Sequence, residues 1–71
     1  MKYTMGSFRN YNNVIGIKNI INNYNNVHES KIKYSIDEVS FKQFSKYFIM
    51  VECDELVMDN ILDEISYLLN H

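Results

Sequence analysis

The segment YFIMVECDELVMDNILDEISYLL, residues 47–69, decides the fold. Its first part, Tyr47 to Cys53, is apolar, partly β-branched and short, which reads as a buried central strand. From Glu55 onward the periodicity becomes helical. Val57, Met58, Ile61, Leu62, Ile65, Leu68 and Leu69 fall within an arc about 140° wide, while Asp59, Asn60, Asp63 and Ser66 face the other way. Asp54 stands at the N-cap position. Glu52, Asp54 and Glu55 lie where a helix dipole favours anions.

Upstream of this segment, Lys31 to Ile36 alternates strictly. Ile32, Tyr34 and Ile36 point one way and Lys31, Lys33 and Ser35 the other, the pattern of a half-buried strand. Its outward lysines discourage edge-to-edge aggregation. Residues 37–44 read two ways. Val39 and Phe41 extend the strand, whereas Ser35 to Glu38 resembles a capping box opening a short helix; extended structure is the preferred reading.

Further back, Val14, Ile17, Ile20, Ile21 and Tyr24 share an arc of about 120° and predict a helix. Asn12 or Asn13 is expected to cap its start, and Asn25 with Asn26 to end it. Isoleucine, asparagine and Gly16 are mediocre helix formers, so this helix depends on its docking surface. Lys2 to Phe8 is expected as a first strand with Tyr3, Met5 and Ser7 on one face, and with a bulge or weak point at Gly6.

The order strand, helix, strand, strand, helix predicts an α+β fold: a small antiparallel sheet with two helices packed on one face. This is a ferredoxin-like domain without its last strand. The absent strand leaves a sheet edge open, and open edges recruit partners.

Seventy-one residues are expected to form a single domain, 1–71. A chain this short buries only about 60% of its unfolded surface, so some supplement to the core is expected. One cysteine, Cys53, excludes an internal disulfide. Cys53, His28 and His71 are the only thiol and imidazole ligands and no two are close in sequence, so no metal or other cofactor is expected. A homodimer or a partner subunit is then the natural supplement.

With 46% apolar and 14% aromatic residues the chain suits a packed globule better than a disordered tail. Met1 to Asn10 hold no continuous apolar stretch, and the longest apolar run, Tyr47 to Val51, is far short of the roughly 20 residues a membrane span needs. A cytoplasmic, reducing location and no membrane contact are the expectation. Asn, Ile, Lys, Tyr and Phe supply 10, 9, 6, 6 and 4 residues, all with A+T-rich codons. Low-GC bacteria, their phages and some large DNA viruses encode such chains, and this bias warns against reading the asparagines as a functional tract.

The run Val14-x-x-Ile17-x-x-Ile20-Ile21-x-x-Tyr24, continued through Val27 to an alternating strand and then to Val51-Glu52-Cys53-Asp54 before a helix, resembles the ACT-type ligand-sensing domains over most of the chain. That resemblance implies a regulatory dimer holding a small molecule between subunits. The family's glycine before the first helix is replaced here by Asn12 and Asn13, the fourth strand is missing, and no functional residues carry over.

Charge is segregated. Residues 1–46 carry seven bases against Glu29, Asp37 and Glu38, a balance of +4, and residues 47–71 carry six acids and no base, a balance of −6. Glu52, Asp54, Glu55, Asp59 and Asp63 are therefore the candidate partner-binding residues, an acidic helix face suited to a basic or nucleic-acid-binding protein. A sequence pI near 5.5 makes direct binding of nucleic acid the weaker alternative, with Lys31, Lys33, Lys42 and Lys46 as its carriers.

No catalytic residues are assigned. Cys53 near a helix N-terminus has no histidine beside it in sequence, Asp59 and Asp63 sit on an exposed helix face, and two glycines make no phosphate loop. The expected function is that of a non-enzymatic small regulator or inhibitor acting through protein–protein interaction.

Overall fold

The computed structural model describes residues 1–70, so His71, one of the imidazoles considered above, lies outside the described residues. The elements are β1 (Lys2–Phe8), α1 (Tyr11–His28), β2 (Lys33–Ser40), β3 (Ser45–Glu52) and α2 (Glu55–Asn70). The strands form one antiparallel sheet in the order β1-β3-β2. The chain thus adopts the expected α+β architecture, compatible with a truncated ferredoxin-like domain, and the apolar segment after residue 44 is its central strand.

The pleat sorts the side chains into two faces. Tyr3, Val51 and Tyr34 align across the sheet, as do Met5, Ile49 and Ile36. These point toward the helices. There they meet Val14, Ile17 and Ile21 of α1 and Met58, Ile61 and Ile65 of α2, all buried, with Ile32 closing one end of the core. The helices run antiparallel, as shown by Tyr24 meeting Asn60 at one end and Gly16 meeting Leu68 at the other. A Cβ at Gly16 would stand 2.6 Å from Leu68 Cδ2, so the absent side chain is what lets the helices approach here.

Three local expectations are corrected. The register shifts between Met5 and Phe8, so Phe8 turns toward the core and Ser7 is exposed. Val39 and Phe41 do not follow Ile36 inward. They share the parity of Lys33 and Ser35, and a period of two sends them to the opposite face, 44% and 49% exposed. Helix α1 is longer than its apolar stripe. Asn10, not Asn12 or Asn13, caps it, its Oδ1 accepting from Asn12 N at 2.9 Å. Tyr11 in the added turn packs on Tyr47, ring centroids 5.1 Å apart.

The other end of α1 also runs past Asn25 and Asn26. The Tyr24 ring lies tilted against His28 one turn later, centroids 4.2 Å apart. Asn25 turns its side chain to the following loop: its Oδ1 accepts from Ile32 N and Ser30 Oγ, both at 2.9 Å, and its Nδ2 donates to Ile32 O at 3.2 Å. The left-handed cap falls on Glu29, φ 52°. A side chain there is strained where glycine is not. Glu29→Gly is expected to stabilise the protein by about 0.5–1 kcal/mol, read as a melting temperature higher by several degrees; an unchanged or lower one would contradict this account of the cap.

Candidate functional site

Among the described residues β1 pairs only with β3, so its other edge is open. Which of its backbone groups are free follows from one pair. Met1 O accepts from Cys53 N at 3.1 Å and the Met1 ammonium donates to Cys53 O at 3.3 Å. Alternation then turns the amides of Tyr3 and Met5 toward β3 and those of Lys2 and Thr4 outward. Lys2 and Thr4 therefore present unpaired N–H and C=O groups at the sheet margin.

Helix α2 lies on the β1 side of the helical layer and α1 on the β2 side, where Tyr34 OH donates to Asn22 Oδ1 at 3.3 Å. On α2, Leu68 and Asn60 face α1. At 100° per residue the flank turned away from α1 carries Glu55, Asp59, Leu62, Ser66 and Leu69. Leu62 and Leu69 are exposed. This is the flank that a further strand beside β1 would lie under.

The acids expected to form one docking face separate into three groups. Asp54, Glu55 and Asp59 stand at the start of α2, close enough to act on Tyr3 of β1. The Tyr3 phenol is pushed above its ordinary pKa by desolvation first, then by the negative field of Glu55, Cys53, Asp59 and Asp54. Asp63 turns instead toward the solvent side of the helix pair, where it lines an open groove of about 530 Å³ with Ile20, Glu64, Tyr67 and Leu68. Glu52 is on the other side of the sheet from the helices, flanked in register by Lys2 on β1 and Lys33 on β2. Of the five, Asp54, Glu55 and Asp59 are thus the ones on the helix side of the sheet that act on β1.

Asp54 does occupy the N-cap position of α2, its carbonyl accepting the first helical bond from Met58 N at 2.9 Å. Cys53, just before it, is half-buried with Sγ 3.9 Å from Met58 Sδ. Burial pushes the thiol pKa up and Asp54 adds to this, while the Met1 ammonium pulls against them. The helix N-terminus does not make it a thiolate at neutral pH. His28 is engaged with Tyr24. Among the described residues, no three His, Cys, Asp or Glu side chains are grouped to hold a metal ion, and no helix is long and apolar enough to cross a membrane.

The periodicity reading missed the surface that the misassigned parity hides. On the helix-free side of the sheet, around the β2–β3 turn, Phe41 stacks on Phe44 with centroids 4.8 Å apart and planes 20° off parallel. The Arg9 guanidinium lies 4.1 Å from the Phe44 ring centre. The signal was present in the spacing: residues 44, 46 and 48 share a parity opposite to that of Ile49 and Val51. Compared with known proteins, the chain matches no family model, no curated protein and no solved structure.

Proposed function

We propose that this protein is a small non-enzymatic regulator or inhibitor that acts by binding another protein along the margin formed by β1 and the outer flank of α2. One observation carries the reading: β1 leaves the backbone groups of Lys2 and Thr4 unpaired, and its Tyr3 phenol lies in the field of Asp54, Glu55 and Asp59 of the helix whose outer flank also exposes Leu62 and Leu69. An extended segment added there gains main-chain hydrogen bonds from the edge and specificity from the flank. The acids select a basic segment and speed its association, since complementary charge acts mostly on the on-rate.

The test is affinity co-purification of the tagged protein from its native host at low and moderate salt. One stoichiometric protein partner is expected. Asp59→Lys combined with Thr4→Pro is expected to weaken its binding at least tenfold. The proline removes an outward N–H and leaves the β1–β3 ladder intact. Asp63→Lys, at the helix groove, is expected to have little effect. A partner retained equally by the double variant, verified as folded, overturns the proposed surface.

A further inference from the structure

The face of the sheet opposite the helices is uncovered, and its chemistry differs from that of the acidic margin. The outward residues of β3 are Lys46, Phe48, Met50 and Glu52; those of β2 are Lys33, Ser35, Asp37 and Val39. Three phenyl rings are gathered at one end of this face. Phe41 and Phe44 stack in the turn, 49% and 37% exposed, and Phe48 follows two residues after Lys46. The Phe48 ring lies on β1 at Gly6, where a Cβ would come 2.5 Å from Phe48 Cδ1, so the glycine leaves the space the ring occupies.

Cations accompany the rings. Besides Arg9 over Phe44, the Lys46 ammonium lies 5.8 Å from the centre of Phe41 and 6.0 Å from that of Phe44. At the other end of the face, Lys2, Lys33, Ser35 and Met50 line a recess of about 210 Å³ with Glu52. Glu38, the acid nearest the turn on the helix side, stands across from Tyr47 in register, and the Tyr47 phenol is pushed above its ordinary pKa by burial first and then by that carboxylate. Counting side chains on this face, Lys2, Arg9, Lys33 and Lys46 stand against Asp37 and Glu52. A protein of net charge −2 therefore presents an open face with two surplus positive charges.

Of the two acids on this face, Asp37 stands across from Phe48 in register and Glu52 lies at the end far from the turn. Strand β3 rises about 24 Å from Ser45 to Glu52 at roughly 3.4 Å per residue, and the screening length in physiological salt is about 8 Å. The whole-chain pI averages two separate surfaces, so it does not describe this one. A positively charged face repels its own copy and a basic protein alike. Rings able to stack, spaced among cations, are instead the chemistry that holds bases and phosphates.

We propose that the helix-free face of the sheet binds a single-stranded nucleic acid, with Phe41 and Phe48 stacking on bases, Phe44 held between Phe41 and Arg9 as their support, and Arg9, Lys46 and Lys33 contacting phosphates. This is independent of the protein-docking margin, which lies on the helix side of β1. Neither the rings nor the cations read the sugar, so DNA and RNA single strands are bound alike.

The experiment is fluorescence anisotropy of labelled 12-nucleotide oligo(dT) and oligo(U), titrated with the full chain at 50 and 200 mM salt. Saturable binding is expected, weaker by about 20- to 50-fold at the higher salt if three or four phosphates are neutralised. Phe41→Ala is expected to weaken it about tenfold or more. Lys46→Glu has a similar expected effect, and Asp59→Lys none, which separates this site from the protein-docking margin. Circular dichroism confirms that the variants fold. Absence of binding at 50 mM salt, binding indifferent to Phe41→Ala, equal binding to duplex DNA, or capture by anionic lipid vesicles with none by the oligonucleotides would each overturn the proposal.

Discussion

Ile17→Ala is expected to lower the melting temperature by about 10–30 °C. Ile17 is fully buried in α1, within a cluster that includes Ile21, Ile49 and Ile61. Truncating a buried isoleucine to alanine costs about 2–5 kcal/mol through lost transfer free energy and the cavity left behind. In a domain of this size each kcal/mol moves the midpoint by about 4–8 °C. A small core puts total stability near the low end of the usual range of about 5–15 kcal/mol, so a large part of the population unfolds. Ile15→Ala, two residues away but 42% exposed, is the control and is expected to stay within about 0.5 kcal/mol of the parent. Thermal denaturation followed by circular dichroism distinguishes them. Equal effects at positions 15 and 17 would falsify the assignment of the core face.

Asn25→Ala is expected to cost about 2–3 kcal/mol, an effect approaching that of a core truncation from a polar residue. Asn25 makes three hydrogen bonds that tie the last turn of α1 to the start of the β2 arm through Ile32 and Ser30. Every buried side-chain nitrogen and oxygen among the described residues has a partner. Removing this one leaves the backbone of Ile32 unpaired beside a buried side chain, and unmade bonds in partly buried positions cost about 1–3 kcal/mol each. Asn26→Ala, at an exposed position, is expected to change little. Urea denaturation of both variants checks the claim, and near-identical midpoints would show that Asn25 is only a helix-surface residue.

The contrast between these two residues explains what could be read without coordinates. Ile17 belongs to a periodic stripe, and periodicity follows from backbone geometry alone, so the helices, their inward faces and the central position of β3 were all legible. Asn25 is one of ten asparagines in the chain, eight of them between residues 10 and 26. Only the approach of Ile32, seven residues on, selects it from Asn22, Asn23 and Asn26. The α1 boundaries were misplaced for the same reason. Asn10 and Glu29 cap a helix lengthened at both ends by ring contacts of Tyr11 with Tyr47 and of Tyr24 with His28, the first of them tertiary.

The candidate site was legible in part. An open edge follows from counting strands, and the acids at positions 54, 55 and 59 follow from where α2 begins. That Glu52 leaves them was also available from parity: residues 49 and 51 are inward, so 52 is outward. The lysines beside it required the register, which pairs Glu52 with Lys2 across 50 residues and with Lys33 across 19. No local pattern encodes such distances. The phenyl cluster was obscured by a single slip of parity after Ile36, and a one-residue slip reverses every side chain beyond it.

The strand order carries a consequence for how the protein comes into being. During synthesis β1 and β2 leave the ribosome before β3, yet neither touches the other in the finished sheet. Each waits for the strand that will lie between them. A nascent chain that has emerged only as far as Lys42 holds two future edges and no sheet, and its first helix lacks the surface on which its poor intrinsic propensity depends. The β2–β3 hairpin closes over a short turn, whereas Lys2 must find Glu52 from the far end of the chain, the slower kind of contact to make. Translation therefore delivers the parts in an order that postpones the core almost to the last strand, and leaves β1 the last to be enclosed.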